Sequence, residues 1–375
     1  MPNDVINQIL ELARWAPSGD NAQPWRFEIL DEHHVVVHGF DTREHCMYDL
    51  NGFGSQLAQG ALLETLRIAA TGFGLRAETS LRGDAPETRP VYDVWLHRDS
   101  GVQVDPLLPF IERRCTQRRA FRTHALSLGE KQALTASVGN SYTVLWIDGW
   151  GGRWAMSKLL FASGKVRLTI PEAYSVHRAA IQWDTPYSED RIPAAAIGLD
   201  PLTQKLMHWA MGSWARVNFL NRYLAGHLVP RIELDFLPAL RCAGHFILLC
   251  DAEPKGIEDY VDAGRAVQRF WLTATKLGLQ LQPEMTPLIF AQYVRQGIPL
   301  TRAMPAMQRA KDLARVLERL IGETSARAVF MGRIGHGPAP RSRSVRRPLA
   351  NLLESPGAEK SQLEHENGRQ GRRAD

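Results

Sequence analysis

Residues 60–75 and 264–279 set the terms for the fold, because two distant stretches of one chain carry the same residues at the same spacing. The pairs are Gly60/Gly264, Ala70/Ala274, Thr71/Thr275, Gly74/Gly278 and Leu75/Leu279, so each helical stretch ends at Gly-Leu. A helix and a strand are expected upstream of each. The pattern predicts an α+β protein made by duplication, its two halves covering residues 1–105 and 106–350. Residues 351–375, polar and without aromatics, are expected to form a disordered tail.

In the first half, residues 4–15 read as a short helix with Asp4 near its N-cap, broken by Pro17-Ser18-Gly19-Asp20-Asn21. Trp25–Leu30 and His34–His38 have strand composition around the Asp31-Glu32 turn, a hairpin pattern. A helix over Ser55–Leu75 and a strand over Val91–His97 follow. After Pro109 the spacing predicts a helix ending in an arginine cluster, a helix over Ser127–Ser137 and a strand over Tyr142–Ile147. Strands over Phe246–Cys250 and Ala326–Met331 flank a helix from about Gly256 to Leu277. Residues 160–235 are helix-prone and rich in Trp and Met; within them, 165–235 read either as a lid or as a core or interface helix pair.

The composition, 44% hydrophobic and 23% charged over 375 residues with ten Trp, excludes whole-chain disorder and collagen-like order. The longest apolar stretch, 236–250, is broken by Pro238, Arg241 and His245, well short of the roughly 20 residues a membrane span needs. Asp4 and Glu11 stand where a signal peptide would be basic and then apolar, so a cytoplasmic protein without a membrane partner is expected. Cys46, Cys115, Cys242 and Cys250 are far apart with no CxxC spacing, and His33, His34 and His38 lack a ligand set, so neither disulfides nor a metal is indicated. No GxSxG, HExxH or P-loop occurs.

The net charge is +5, and its position carries more information than its size. Arg333, Arg341, Arg343, Arg346 and Arg347 lie between Met331 and Leu349 with no acid among them, so the rest of the chain sums to zero. Arg113, Arg114, Arg118, Arg119 and Arg122 form a second cluster beside a single Glu112. Two such groups suit an anionic ligand. A nucleic-acid partner is not expected, since aromatic residues do not interleave either cluster.

Three segments carry chemistry. In Ala13-Arg14-Trp15-Ala16-Pro17-Ser18-Gly19-Asp20-Asn21-Ala22-Gln23-Pro24-Trp25, two prolines bracket small and amide residues; the loop is either a helix-ending turn or a cradle for a polar ligand. Arg114-Cys115-Thr116-Gln117-Arg118 places guanidinium forks that suit phosphate oxygens, or a solvated basic helix end. Arg333-Ile334-Gly335 and Arg346-Arg347-Pro348 close the series.

The first segment resembles the APSxxNxQPW signature of the nitroreductase family of flavoproteins. The second resembles that family's RxSxR motif, with Thr for Ser, and the third its basic C-terminal ending. The resemblance implies a nitroreductase fold binding FMN through Pro17, Ser18, Asn21, Gln23, Arg114, Thr116, Arg118, Arg333, Arg346 and Arg347, with no catalytic acid or base and no metal. Here the APS motif precedes the RxSxR motif, as in the tandem Acg-like branch and the nitroreductase-like part of MoeY-type proteins. That order implies an intrachain pseudo-dimer, monomeric or further paired as a homodimer. The expected activity passes electrons from NAD(P)H through FMN to a small-molecule acceptor, a nitroaromatic or quinone. The alternative is a non-catalytic flavin-binding or flavin-storing protein, because Leu279 to Glu284 are bulky and polar where classical members carry glycine near the flavin.

Overall fold

A computed structural model describes residues 3–354. Of the tail expected over 351–375, residues 351–354 are instead packed on the first sheet, with Leu352 buried in its core and Glu354 N donating to Phe27 O at 2.8 Å, because an apolar side chain and paired amides hold them there; the rest lies outside the described residues. The first half comprises α1 (Asn3–Ala13), β1 (Trp25–Ile29), β2 (His34–Gly39), α2 (Phe53–Thr71), β3 (Leu75–Leu81) and β4 (Val91–Arg98). The four strands form one antiparallel sheet in the order β1-β2-β4-β3.

The second half opens with α3 (Leu128–Ser137) and β5 (Tyr142–Asp148). Ser127 starts α3 as an N-cap in a full capping box with Glu130, which satisfies the first free amides of the helix. A long insertion follows, containing α4 (Gly149–Thr169), α5 (Pro171–Ala180), α6 (Pro201–Ala210), α7 (Trp214–Tyr223) and helical turns over 228–240. Then come β6 (Gly244–Cys250), α8 (Ile257–Lys276), β7 (Leu279–Pro283), α9 (Thr286–Arg295), α10 (Met304–Ile321) and β8 (Ala328–His336). The second sheet, also antiparallel, runs β5-β6-β8-β7. Element for element this is the order of the first sheet, with α8 in the place of α2.

The two halves meet through α2 and α8, and glycine makes that meeting close. A Cβ on Gly60 would sit 1.8 Å from the Val261 carbonyl oxygen, and one on Gly264 would sit 2.1 Å from that of Leu57. Each contact is the other's mirror, three residues back on the facing helix, and no side chain fits at either point. Gln268 Nε2 donates to Thr65 Oγ1 at 2.8 Å across the same interface. Leu62, Leu63, Leu66 and Ile68 of α2 pack with Ile6, Ile9 and Leu10 of α1 in the first core. Phe246, Phe270 and Leu281 anchor the core of the second sheet.

Several sequence expectations change. The helix expected to end in the arginine cluster is absent: only a single turn, Leu108–Phe110, forms. Residues 116–122 instead run irregularly along the second sheet, with Gln117 N donating to Leu281 O, Phe121 N to Arg241 O and Arg122 N to His336 O. Those amides are satisfied by distant segments of the same chain, which removes the reason to coil. The helix expected over Ser55–Leu75 stops at Thr71, and β3 begins at Leu75, where burial alternates along the strand. The helices α9 and α10 and the strand β7 had no sequence expectation. His34 and His38 are buried pairs of the first sheet, with Asp93 at 2.7 Å and Glu28 at 2.8 Å. The four cysteines are free, and no cluster of metal ligands occurs among the described residues.

Candidate functional site

A cavity of about 1180 Å³ lies between the loop after α1, the N-terminal half of α2, the strap at 114–118 and the inserted helices. It exceeds the roughly 300–1,000 Å³ of ordinary ligand sites. Pro17, Ser18, Asn21, Arg114, Thr116, Arg118 and Arg346, seven of the sequence-derived residues, line it. Gln23, Arg333 and Arg347 do not.

The loop after α1 is held in an unusual backbone. Asp20, Asn21 and Gln23 have φ of 50°, 64° and 51°, a left-handed region that non-glycine residues enter only when the surroundings hold them there. Ser18 Oγ accepts from Gln23 N at 3.0 Å. Asn21 Nδ2 donates to Glu189 O at 3.0 Å and Val345 O at 3.1 Å. Gln23 Nε2 donates to Glu189 O at 2.8 Å, while its Oε1 accepts from Arg347 N at 2.9 Å. Asn21 and Gln23 therefore clamp the loop to the insertion and to the C-terminal segment. Asn21 Oδ1 is buried with no hydrogen-bond partner.

The arginines divide into three settings. Arg114 and Arg346 meet Arg343, and all three line the cavity. Arg114 Nη2 donates to Trp15 O at 3.0 Å and its guanidinium lies 4.7 Å over Trp271. Arg346 Nε donates to Ala16 O at 3.0 Å, and the Arg343 guanidinium sits 5.0 Å over Trp15. Among the described residues no carboxylate pairs with any of the three. Nε of Arg114 and of Arg343 is buried without a partner. Burial, and then the charges of Arg114 and Arg343, push the Arg346 guanidinium well below its ordinary range. Burial first, with Arg343 adding to it, lowers Arg114 too. A guanidinium does not shed its proton at neutral pH, so the cost is carried as an unmet demand for an anion.

Arg118 belongs to a second setting. Its Nη1 donates to Ala196 O at 3.3 Å, and the Asp20 carboxylate is an opposing charge that favours its protonated form. Burial raises the Asp20 carboxyl against the pull of Arg118 and Arg167. Arg167 in turn holds Asp235 at 2.9 and 3.1 Å, and Tyr48 Oη lies 3.0 Å from His177 Nε2. Desolvation, then Arg167, pushes His177 down to about 3, so the ring is neutral.

Arg333 occupies the third setting, behind the cavity wall. Its Nη1 and Nη2 donate to Arg119 O and Arg118 O at 3.1 and 2.7 Å, and its Nε lies 3.4 Å from Glu284 Oε1. It fastens the strap to β8. Glu284 also takes His245 Nδ1 at 2.7 Å; burial opposes the imidazolium, but this carboxylate outweighs it and raises His245. Arg347 pairs with Asp190 at 3.4 Å. Sequence reasoning placed Arg343 in the basic segment without singling it out, and missed Asp20, Arg167, His177 and Glu284, whose partners come from other elements.

The loop at 17–23 falls within the stretch of the chain that a family model matches. Residues 1–95 match the family model described as the nitroreductase family. Over 370 residues the chain is 22% identical to an uncharacterized protein of Mycobacterium tuberculosis, covering 92% of this chain and 48% of that one. The chain thus spans about half the length of that relative. Among solved structures, a nitroreductase-like family protein from Bacillus cereus is similar over 67% of this chain and 95% of its own, at 12% identity and a TM-score of 0.34. The FMN-dependent nitroreductase NfnB from Mycobacterium smegmatis, in complex with NADPH, is similar over 65% of this chain and 95% of its own, at 15% identity and a TM-score of 0.34.

Proposed function

We propose that this chain is an FMN-binding oxidoreductase of the nitroreductase type, built by duplication as an intrachain pseudo-dimer whose halves cover residues 1–105 and 106–350. The carrying observation is the carboxylate-free trio Arg114, Arg343 and Arg346, facing a large cavity beside the loop at 17–23. Arg114 and Arg346 are buried and Arg343 is half-buried, with the Nε donors of Arg114 and Arg343 unfilled, which suits a phosphate that accepts several charge-assisted bonds at once. When bound, FMN supplies hydride chemistry between a nicotinamide and a small acceptor such as a nitroaromatic or a quinone. Pro17 and Ser18 present the loop to the cavity, Asn21 and Gln23 hold its backbone, and Thr116 sits on the strap where it pairs with Leu281. Arg333 and Arg347 act at a distance, by fixing the strap and the loop. The repeated strand order of the two sheets and the reciprocal glycine contact support the duplication. The volume left beyond one ligand suits a second reactant.

A flavin-storing role is the second reading, favoured by the inserted helices that roof the cavity. One spectrum of the purified protein, with and without NADPH and an acceptor, tests both. A flavin spectrum bleached by NADPH supports the oxidoreductase, and a stable flavin spectrum supports storage. A colourless protein that takes up no FMN defeats both. Flavin content is expected to fall most in Arg114→Ala, less in Arg118→Ala, whose charge already faces Asp20, and least in Arg372→Ala; equal content in all three removes the phosphate assignment.

A further inference from the structure

The insertion exposes apolar side chains in a pattern that burial elsewhere in the molecule does not show. On α6, Leu202, Leu206 and Trp209 recur along one face and are 78%, 53% and 51% exposed. On α7, Phe219 and Tyr223 stand one turn apart, 54% and 64% exposed. Arg216 joins the two stripes: its guanidinium lies 5.0 Å over the Trp209 ring and its Nη1 donates to Trp209 O at 3.1 Å. The result is one continuous surface.

Its charge has a single sign. From Pro201 to Ile232 there is no Asp or Glu, while Lys205, Arg216 and Arg222 are exposed along the stripes. The flanking acids are turned to other work. Asp200 caps α6 through Leu202 N and Thr203 N, and Glu233 accepts from Asp200 N at 3.1 Å. Leu202, Leu206, Leu224 and Val229 are exposed and also line the large cavity, so the patch runs into the cavity mouth.

We propose that α6 and α7 dock this protein on an anionic lipid surface, with the cavity mouth opening onto that surface to admit apolar molecules dissolved in the lipid. Aromatic and leucine side chains fringed by Lys and Arg match a headgroup layer, where acyl chains and phosphates are met together. Cations of one sign complement anionic lipid, and an ordinary monomer surface seldom leaves so contiguous an apolar patch uncovered. This proposal departs from the sequence expectation of no membrane partner. Among the described residues no helix is long and apolar enough to cross a membrane, and docking needs none. The docking stands without flavin; only its use in loading the cavity rests on the flavin reading.

Flotation of the purified full chain with phosphatidylcholine vesicles, with and without about 30% phosphatidylglycerol, tests the proposal. Binding to the anionic vesicles is expected to be about tenfold stronger than to neutral ones and to weaken as salt rises. The double variant Trp209→Glu, Phe219→Glu removes two exposed side chains outside the cavity lining, so its circular dichroism and thermal midpoint are expected to match the parent while its flotation falls about tenfold. Absence of flotation with anionic vesicles overturns the docking, as does equal flotation of the variant. A dimer by light scattering that the variant splits assigns the patch to a second copy of the chain and likewise overturns it. Flavin content, read on the same samples, separates the two readings: a colourless protein that floats keeps the docking and loses the flavin reading.

Discussion

Arg67 and Arg269 differ from Arg114, Arg343 and Arg346 in what faces them. Arg67 meets Glu64 at 2.6 Å, and Arg269 reaches Glu64 and Asp105, both at 2.9 Å, where α2, α8 and the loop at residue 105 meet. That group is balanced by its own carboxylates. The trio at the cavity has only backbone carbonyls and aromatic faces. Dipoles and ring faces soften a buried cation but do not neutralise it. The first arrangement fastens the two halves together; the second is complete only when an anion arrives.

The largest expected effect sharpens this contrast directly. With FMN at about a hundred times its Kd, the parent is expected to gain about 2.7 kcal/mol. Arg114→Met should abolish the gain while changing the stability of the flavin-free protein by less than about 1 kcal/mol, because one repelling charge leaves with one hydrogen bond. Thermal unfolding with and without FMN reads both numbers. If FMN stabilises the variant as much as the parent, the contrast is broken.

Glu64→Ala tests the balanced side. It leaves Arg67 and Arg269 with Asp105 alone, and a loss of about 2 kcal/mol in urea unfolding is expected, less than for a fully buried pair because both arginines keep solvent contact. No loss would mean that the two groups differ only in appearance.

The Arg333–Glu284–His245 group lies between these extremes, a buried carboxylate shared by two cations. His245 holds its proton in the folded protein above its ordinary 6.5. Its contribution is therefore full below 6.5 and is lost as pH rises beyond it, with a slope of at most about 1.4 kcal/mol per pH unit. Urea midpoints at rising pH are expected to fall more steeply for the parent than for His245→Gln; parallel curves would show that the pairing adds nothing. The smallest effect lies outside all three groups. Ser127→Ala removes the capping box of α3 and should cost about 1 kcal/mol without changing the response to FMN, which checks that stability and anion binding are being read separately.

The legible parts of the fold were those with a local cause. The hairpin of β1 and β2, the helix α3 behind Ser127 and the bodies of α2 and α8 follow from turn residues, caps and periodicity within a few residues. The strap at 116–122 was misread as helical because its amides are satisfied by Leu281, Arg241 and His336, far away in the chain. The strands β3 and β7 begin at the leucines of the two Gly-Leu pairs, where the helical pattern masks their start. At the site, Asn21 and Gln23 were found by their motif, but as clamps on residues 188–191 and 345–347 they depend on contacts no local pattern reveals.

By itself the sequence determined two helices with matching glycines, the element types around them, and a surplus of arginine in two segments. Only the tertiary structure decided which of those arginines share a cavity. Charge counted along a chain is additive, but whether a guanidinium is balanced depends on distances of a few ångströms and on how far water is excluded. Folding sent Arg333 to Glu284, Arg347 to Asp190 and Arg118 to the side of Asp20, and it left Arg114, Arg343 and Arg346 together with no carboxylate.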